Sequence, residues 1–338
     1  MINQEENMSK QISNDQIMVD AGTFELANWM LQLDDNIKLN QLIMPGSHDA
    51  GMSELHHCDI GSNINTGLVQ TQGLSISKQL QAGSRYFDIR VDYDHKELVT
   101  YHRSGDSGCN GQSLEAVFNE AVEFIKSHRS ETFILKFSHT RSNRNKEQEI
   151  KERIDQFISQ VKYKEFLFMQ PDNLVNLAEI PLGSFRGKFV LVFDYPEFIN
   201  VKQGRFRYHD GFEVDKSETI VKRLKSYEPN LTVCDSYSDT TTLDKMKKDQ
   251  LNKLDKYGGF GKDYLFLLSW TLTSGFKTFF GGSVKELATQ ANTALPEVLY
   301  QQIVASGKAI PNIVYIDYVN AITTKCIIQY NFLNKKTK

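Results

Sequence analysis

The sequence predicts a mixed α/β fold: a single (β/α) barrel of the TIM type, distorted or incompletely closed. Three observations carry that expectation. From about residue 37 onward, short β-rich runs alternate with amphipathic helical stretches, the order that builds a mostly parallel sheet. Eight such β-rich runs can be counted. No Pro/Ser linker, composition break or repeat period marks a second unit.

Taken in order, residues 1–20 form a polar, Glu/Asn/Gln-rich extension expected to be disordered, and the barrel occupies 21–338. Strands are expected at 39–44, 85–91, 97–102, 132–138, 188–194, 231–235, 264–269 and 313–318. A helix over 113–128 aligns Leu114, Val117, Ala121, Phe124 and Ile125 on one face, with Ser113 as N-cap and Glu115 and Glu120 toward its positive end. A charged helix over 145–161 turns Ile150, Ile154, Phe157 and Ile158 inward. Helices follow at 287–306, broken at Pro296, and at 320–330. Residues 203–230, rich in Arg, Lys, Asp and Tyr, read as a long insertion or loop region.

Composition narrows the function. The 338 residues, 40% hydrophobic and 24% charged, suffice for a full core. A net charge of −3, from 39 basic and 42 acidic residues, gives no global attraction for nucleic acid or an anionic membrane, so any phosphate-handling site must be local. No stretch approaches the ~20 apolar residues of a membrane span. The N-terminus lacks the layout of a secretory signal, so export would use another route, and a cytoplasmic location stays open. Cys58, Cys109, Cys234 and Cys326 lack the close spacing of a zinc ribbon or redox motif. Scattered buried thiols are the plain reading over a structural metal, a Cys58–Cys109 disulfide is a further option, and composition does not settle the redox compartment.

The chemistry gathers at strand ends, where barrels of this kind present catalytic groups. Pro45-Gly-Ser-His48-Asp49 sets an imidazole beside a carboxylate in a tight turn. Alternation along Arg85-Tyr-Phe-Asp88-Ile-Arg90 puts Asp88 and Arg90 on one face with Tyr86. A second imidazole, His102, ends the run Leu98-Val-Thr-Tyr-His102, and Asp317 ends the apolar run Ile313-Val-Tyr-Ile-Asp317. Two imidazoles with an arginine between them meet the needs of phosphodiester chemistry: a base, an acid and a fixed cation. An aspartate suits the orientation of one histidine.

In their order, seven segments resemble the X-domain fold of phosphatidylinositol-specific phospholipases C in its bacterial, metal-independent form. They are Leu42-Ile-Met-Pro-Gly-Ser-His-Asp49, Gly83-Ser-Arg-Tyr-Phe-Asp-Ile-Arg90, Leu98-Val-Thr-Tyr-His102, Ser130-Glu-Thr-Phe-Ile-Leu-Lys136, Phe185-Arg-Gly-Lys-Phe-Val-Leu191, Val233-Cys-Asp-Ser-Tyr237 and Val314-Tyr-Ile-Asp-Tyr318. The resemblance covers roughly residues 37–330. It implies a lyase that cleaves phosphatidylinositol to diacylglycerol and inositol 1,2-cyclic phosphate, with glycosylated inositol anchors as further substrates. His48 would be the general base, Asp317 its partner, His102 the general acid supported by Asp49, and Arg90 the phosphate-binding group with Asp88 completing its network. Lys136, Arg186, Asp235 and Tyr237 would contact the inositol. No cofactor or metal is implied, the partners are phosphatidylinositol and transiently a membrane surface, and the protein is expected to be a secreted monomer. One departure is Arg103, where bacterial members usually carry glycine, so the mouth of the site is expected to differ.

Membrane contact is assigned to residues 52–55 and to the Gly-flanked segment 274–282 with Phe276, Phe279 and Phe280. The remaining histidines, His56, His57, His95, His128, His139 and His209, match no motif. His56-His57 beside Cys58 and Asp59 lacks the second contributing segment that a metal site needs. Two alternatives remain. A metal-dependent glycerophosphodiester-type phosphodiesterase would be separated by chelator sensitivity, and a silent inositol-lipid-binding module should have lost at least one of the six catalytic residues, all of which are present.

Overall fold

Alternating apolar residues need a second layer to face, and a sheet closed on itself provides it. The computed structural model describes residues 24–59, 66–104, 107–140, 146–214, 220–223, 229–273 and 282–336. The expected polar extension over 1–20, and Phe276, Phe279 and Phe280, lie outside the described residues. The strands are β1 (Met44–Ser47), β2 (Tyr86–Asp94), β3 (Glu97–Ser104), β4 (Ser107–Ser113), β5 (Thr132–Thr140), β6 (Lys188–Phe193), β7 (Arg205–Asp210), β8 (Phe212–Val214), β9 (Ile220–Arg223), β10 (Leu231–Asp235), β11 (Leu265–Ser269) and β12 (Ile313–Ile316). The helices are α1 (Ile76–Gln81), α2 (Leu114–Ser127), α3 (Glu147–Ile158), α4 (Val161–Lys164), α5 (Leu243–Tyr257), α6 (Val284–Leu299) and α7 (Ala321–Ile328).

Eight strands pair in the ring β1-β12-β11-β10-β7-β6-β5-β2 and back to β1, every pairing parallel. The barrel is closed. Its irregularities are the short β1–β2 seam, Gly46 opposite Tyr86 and Ser47 opposite Phe87, and a bulge between Ile89 and Val91. Gly46 suits that seam: a Cβ there would lie 2.9 Å from Ile313 and 3.4 Å from the Tyr86 ring.

Period-two alternation sorts the side chains. Met44, Tyr86, Ile134, Val190, Val192, Phe206, Val233, Leu267 and Ile313 share the barrel's inner cluster. The opposite face of β2, β5 and β6 packs on α2 and α3 through Phe87, Phe133, Phe189, Phe118 and Ile154. A third cluster joins Phe266, Leu268, Val314 and Ile316 to α5, α6 and α7. Helix α2 spans nearly the expected residues, and its Ser113 Oγ accepts from Ala116 N at 3.1 Å.

Several expectations need correction. The segment 39–44 opens with a 3-10 turn, Leu39–Gln41, and the strand starts only at Met44. The segment 97–102 is extended but outside the ring: His95 and Lys96, both at positive φ (48° and 69°), turn β3 back antiparallel on β2. The missing barrel strand is β7, inside the stretch read as a loop, followed by the β8–β9 hairpin. Its inward residues Phe206 and Tyr208 are buried, while Arg205 and Arg207 point outward to Asp155 and Asp194. Helix α6 runs past Pro296 to Leu299 and widens into a π turn at Tyr300–Ala305. Buried Leu295, Val298 and Leu299 hold both sides of the proline against the lost backbone hydrogen bond.

Candidate active site

Each inward-facing series passes from apolar to polar toward the C-terminal mouth of the barrel: Tyr86-Asp88-Arg90, Ile134-Lys136-Ser138, Leu231-Val233-Asp235 and Ile313-Tyr315-Asp317. The polar ends, with His48, Thr71, His102, His139, Tyr208, Tyr237 and Ser269, line a cleft of about 460 Å³. A larger groove of about 510 Å³ lies outside the barrel between α6 and α7, but its lining has none of these paired acids and bases.

His48 and Asp49 sit just beyond β1. Gln72 Nε2 donates to the carbonyls of His48 (2.9 Å) and Ile316 (3.2 Å), tying that loop to β12. Asp49 adopts φ 41°, a left-handed conformation sparsely used by residues with a Cβ, and Thr71 Oγ1 donates to its carbonyl at 3.0 Å. The turn directs the Asp49 carboxylate inward, 2.6 Å from Arg90 Nε and 3.5 Å from His48 Nε2. Its contact with Arg90 is a close ion pair rather than a well-directed hydrogen bond.

His48 Nδ1 lies 2.8 Å from Asp317 Oδ1, and Arg90 Nη2 lies 3.3 Å from His48 Nε2. A guanidinium only donates, so when the imidazole is neutral Nε2 accepts in that contact and Nδ1 carries the proton shared with Asp317. Arg90 Nε also donates to Asp88 Oδ2 at 3.0 Å, and Ser138 Oγ donates to Asp88 Oδ1 at 2.9 Å. His102 faces His48 across a ring-centroid separation of 6.4 Å. Its Nδ1 lies 2.9 Å from the Val69 carbonyl and 3.8 Å from Asp49. Deeper in the cleft, Lys136 Nζ donates to Asp235 Oδ2 (2.9 Å), Tyr208 donates to the same oxygen (2.6 Å), and the ammonium lies over the Tyr208 ring.

The two imidazoles are tuned apart. Burial opposes the His48 imidazolium, but the Asp49 and Asp317 carboxylates outweigh it and push the group up to about 9. Burial lowers His102, assisted by Arg90 and His48 and only partly countered by Asp49. Burial alone would raise Asp88; Arg90 and Lys136 instead hold it well below the usual carboxylate range. Against burial, Asp235 raises Lys136. The site thus offers one proton acceptor, one donor and a fixed guanidinium between them, the equipment for proton transfer around an anionic centre. His48, Asp49 and Asp88 also place ligand atoms within 4.8 Å of one another, a group that could hold a metal ion. Arg90 already supplies positive charge to both carboxylates.

Of the residues expected from sequence, His48, Asp49, Asp88, Arg90, His102, Lys136, Asp235 and Asp317 come together here, with Tyr237, 60% exposed, at the rim. Arg186 does not. It precedes β6 and so lies at the opposite end of the barrel, bonded to Asp35 Oδ1 (2.6 Å) and to the carbonyls of Met30, Ser130 and Leu33. Met52, expected at a membrane surface, is buried with Val69 and Cys109. Cys58 and Cys109 form a disulfide, while Cys234 and Cys326 are buried and not disulfide-bonded. His57 stacks on His95 at 3.8 Å, away from the cleft lining. Sequence reasoning missed Ser138, Tyr208 and Tyr315; Ser138 and Tyr315 lie two residues from identified ones on the same strand faces, a usable signal.

The family model for "Phosphatidylinositol-specific phospholipase C, X domain" matches residues 45–193. A Listeria monocytogenes 1-phosphatidylinositol phosphodiesterase is 32% identical over 164 residues, 48% of this chain and 47% of the relative, so that match spans about half of each. A Staphylococcus aureus (strain Newman) protein of the same name is 25% identical over 294 residues, 86% of this chain and 88% of the relative. Among solved structures, a Staphylococcus aureus phosphatidylinositol-specific phospholipase C superimposes with a TM-score of 0.65 at 19% identity, covering 90% of this chain and 98% of that one. The Listeria monocytogenes enzyme superimposes with a TM-score of 0.63 at 22% identity, covering 91% and 99%. Residues 45–193, somewhat less than half of the chain, thus match the phosphatidylinositol-specific phospholipase C X domain, on a barrel that is similar in fold to those two solved bacterial enzymes.

Proposed function

We propose that this protein is a metal-independent phosphatidylinositol lyase. The observation that carries the reading is the Asp317–His48–Arg90 chain of contacts facing His102 across the cleft. His48 Nε2 takes the proton of the inositol 2-hydroxyl, whose oxygen attacks phosphorus. Arg90 faces the oxygens that gain charge, and His102 Nε2–H protonates the departing diacylglycerol oxygen as the P–O bond breaks. The products are diacylglycerol and inositol 1,2-cyclic phosphate. The attacking hydroxyl belongs to the substrate, which supplies the entropic advantage of an intramolecular reaction. Asp317 and Asp49 stabilise the imidazolium formed on His48.

Lys136, Asp235 and Tyr237 contact the inositol hydroxyls and ring, with Tyr208 and Ser138 fixing the two carboxylates. Glycosylated phosphatidylinositol anchors that keep a free 2-hydroxyl fall within the same reaction. The protein works as a monomer at a bilayer surface, and its disulfide supports an extracytoplasmic location. The ligand-like set His48, Asp49 and Asp88 favours a metal-dependent phosphodiesterase as the second reading.

Phosphorus NMR of phosphatidylinositol vesicles in EDTA separates these readings. A five-membered cyclic phosphate resonance, absent with His48→Ala, is expected. Turnover only after calcium is restored would favour the metal-dependent reading; no turnover under either condition would overturn both.

A further inference from the structure

His102 is not rooted in the barrel ring. It stands on β3, in the antiparallel β3–β4 hairpin, and the residue directly opposite it is Cys109. Cys109 is fully buried and disulfide-bonded to Cys58. Around that bridge, residues 56–59 lie along β4: His56 and Asn110 exchange two backbone hydrogen bonds of 2.8 Å, and Asp59 N donates to Gly108 O at 3.0 Å. Arg103, next to His102, reaches across the same seam to Asp59, the His57 carbonyl (2.9 Å), the Gly108 carbonyl (3.1 Å) and Asn110 Oδ1 (2.8 Å). Val69 is buried against Met52 and Cys109, with Cys58 packed beside them, and the Val69 carbonyl is the acceptor 2.9 Å from His102 Nδ1.

A carbonyl can only accept. The contact therefore keeps a proton on Nδ1 and leaves Nε2 as the nitrogen that exchanges protons with the cleft.

We propose that the Cys58–Cys109 disulfide, backed by Arg103, is the positioning device for His102: it holds the Val69 carbonyl and the hairpin so that Nε2 faces the leaving oxygen. This rests on His102 being the general acid. Opening the bridge loosens both the hairpin and the packing of Val69 on Cys109, and the acid loses its orientation while the ring-borne His48, Arg90 and Asp317 keep theirs. The loss should follow the leaving group, because an alkoxide must be protonated as it departs and a nitrophenolate need not be.

The experiment compares a short-chain alkyl ester of inositol phosphate with its p-nitrophenyl ester. The proteins are wild type, Cys58→Ser/Cys109→Ser, His102→Gln, and wild type reduced and alkylated at the bridge. Circular dichroism reports folding, and the reduced wild type provides a test independent of whether the double variant folds. Expected for both opened forms is a loss in kcat of about tenfold or more on the alkyl ester, with less than about twofold on the aryl ester, in the same sense as His102→Gln. Equal losses on both esters, or none, with His102→Gln still discriminating, would overturn the positioning role alone. No discrimination by His102→Gln would overturn its acid role and this proposal together.

Discussion

Arg85 and Glu131 face each other 2.7 Å apart with neither side chain exposed, at the end of the barrel away from the cleft. Arg85 also donates to the carbonyls of Leu80, Ser84 and Ala27, so the pair clamps α1, β2 and the first turn of the described chain. Glu131→Gln leaves a buried guanidinium without its counter-charge and should cost about 3–5 kcal/mol in urea unfolding. Turnover per folded molecule should be unchanged.

The opposed shifts of the two imidazoles fix the pH dependence. The reactive form needs His48 neutral and His102 protonated, although His48 is raised to about 9 and His102 is lowered. kcat/KM should rise with pH until it passes the His102 pKa, stay level, and fall above about 9 as His48 stops losing protons while His102 protonation continues to drop. The alkaline limb therefore belongs to the base. Asp317→Asn removes a carboxylate that raises His48 and should move this limb to lower pH, with kcat down by about 10²-fold or more. An unmoved limb would reverse the assignment.

Arg90 binds Asp49 and Asp88 through Nε while presenting Nη2 to His48, a geometry with no ammonium equivalent. Arg90→Lys should keep the fold and lose about 10²–10⁴-fold in kcat on a soluble inositol phosphodiester. A loss below tenfold would remove the guanidinium from the reaction.

The family resemblance groups Asp235 and Arg186 as inositol contacts, and the structure separates them. Asp235→Asn should raise KM about tenfold, because it loosens Lys136 and Tyr208 at the cleft floor. Arg186→Ala should leave KM and kcat alone and lower stability by about 1–3 kcal/mol, since it strips partners from Asp35 and three carbonyls. Thermal unfolding alongside kinetics reads both.

The contrast shows what was legible. Asp88 and Arg90 could be found because alternation along a strand is local and survives in sequence order, and Asp317 because it ends an apolar run; Lys136 rests on the family resemblance. Arg186 could have been excluded on the same ground: a residue preceding a parallel strand lies at the end away from the mouth. Strand β7 was hidden because its outward face carries Arg205, Arg207 and His209, satisfied by Asp155, Asp194 and the Pro229 carbonyl rather than by a covering apolar helix. Helix α5 went unread because it buries only Met246, Gln250, Lys253 and Leu254 among many charges. The disulfide could be named from sequence but not established, since pairing is set by a hairpin register that no local pattern states.

In β2, β5, β10 and β12 the residues that fill the barrel's floor and those that work at its mouth are successive members of the same face. A slip of one residue in any of these strands would send both outside together. Misregistered yet compact barrels are therefore inert by construction, and turnover becomes an assay of correct strand pairing: a refolding experiment that regains activity has counted native barrels, strand by strand.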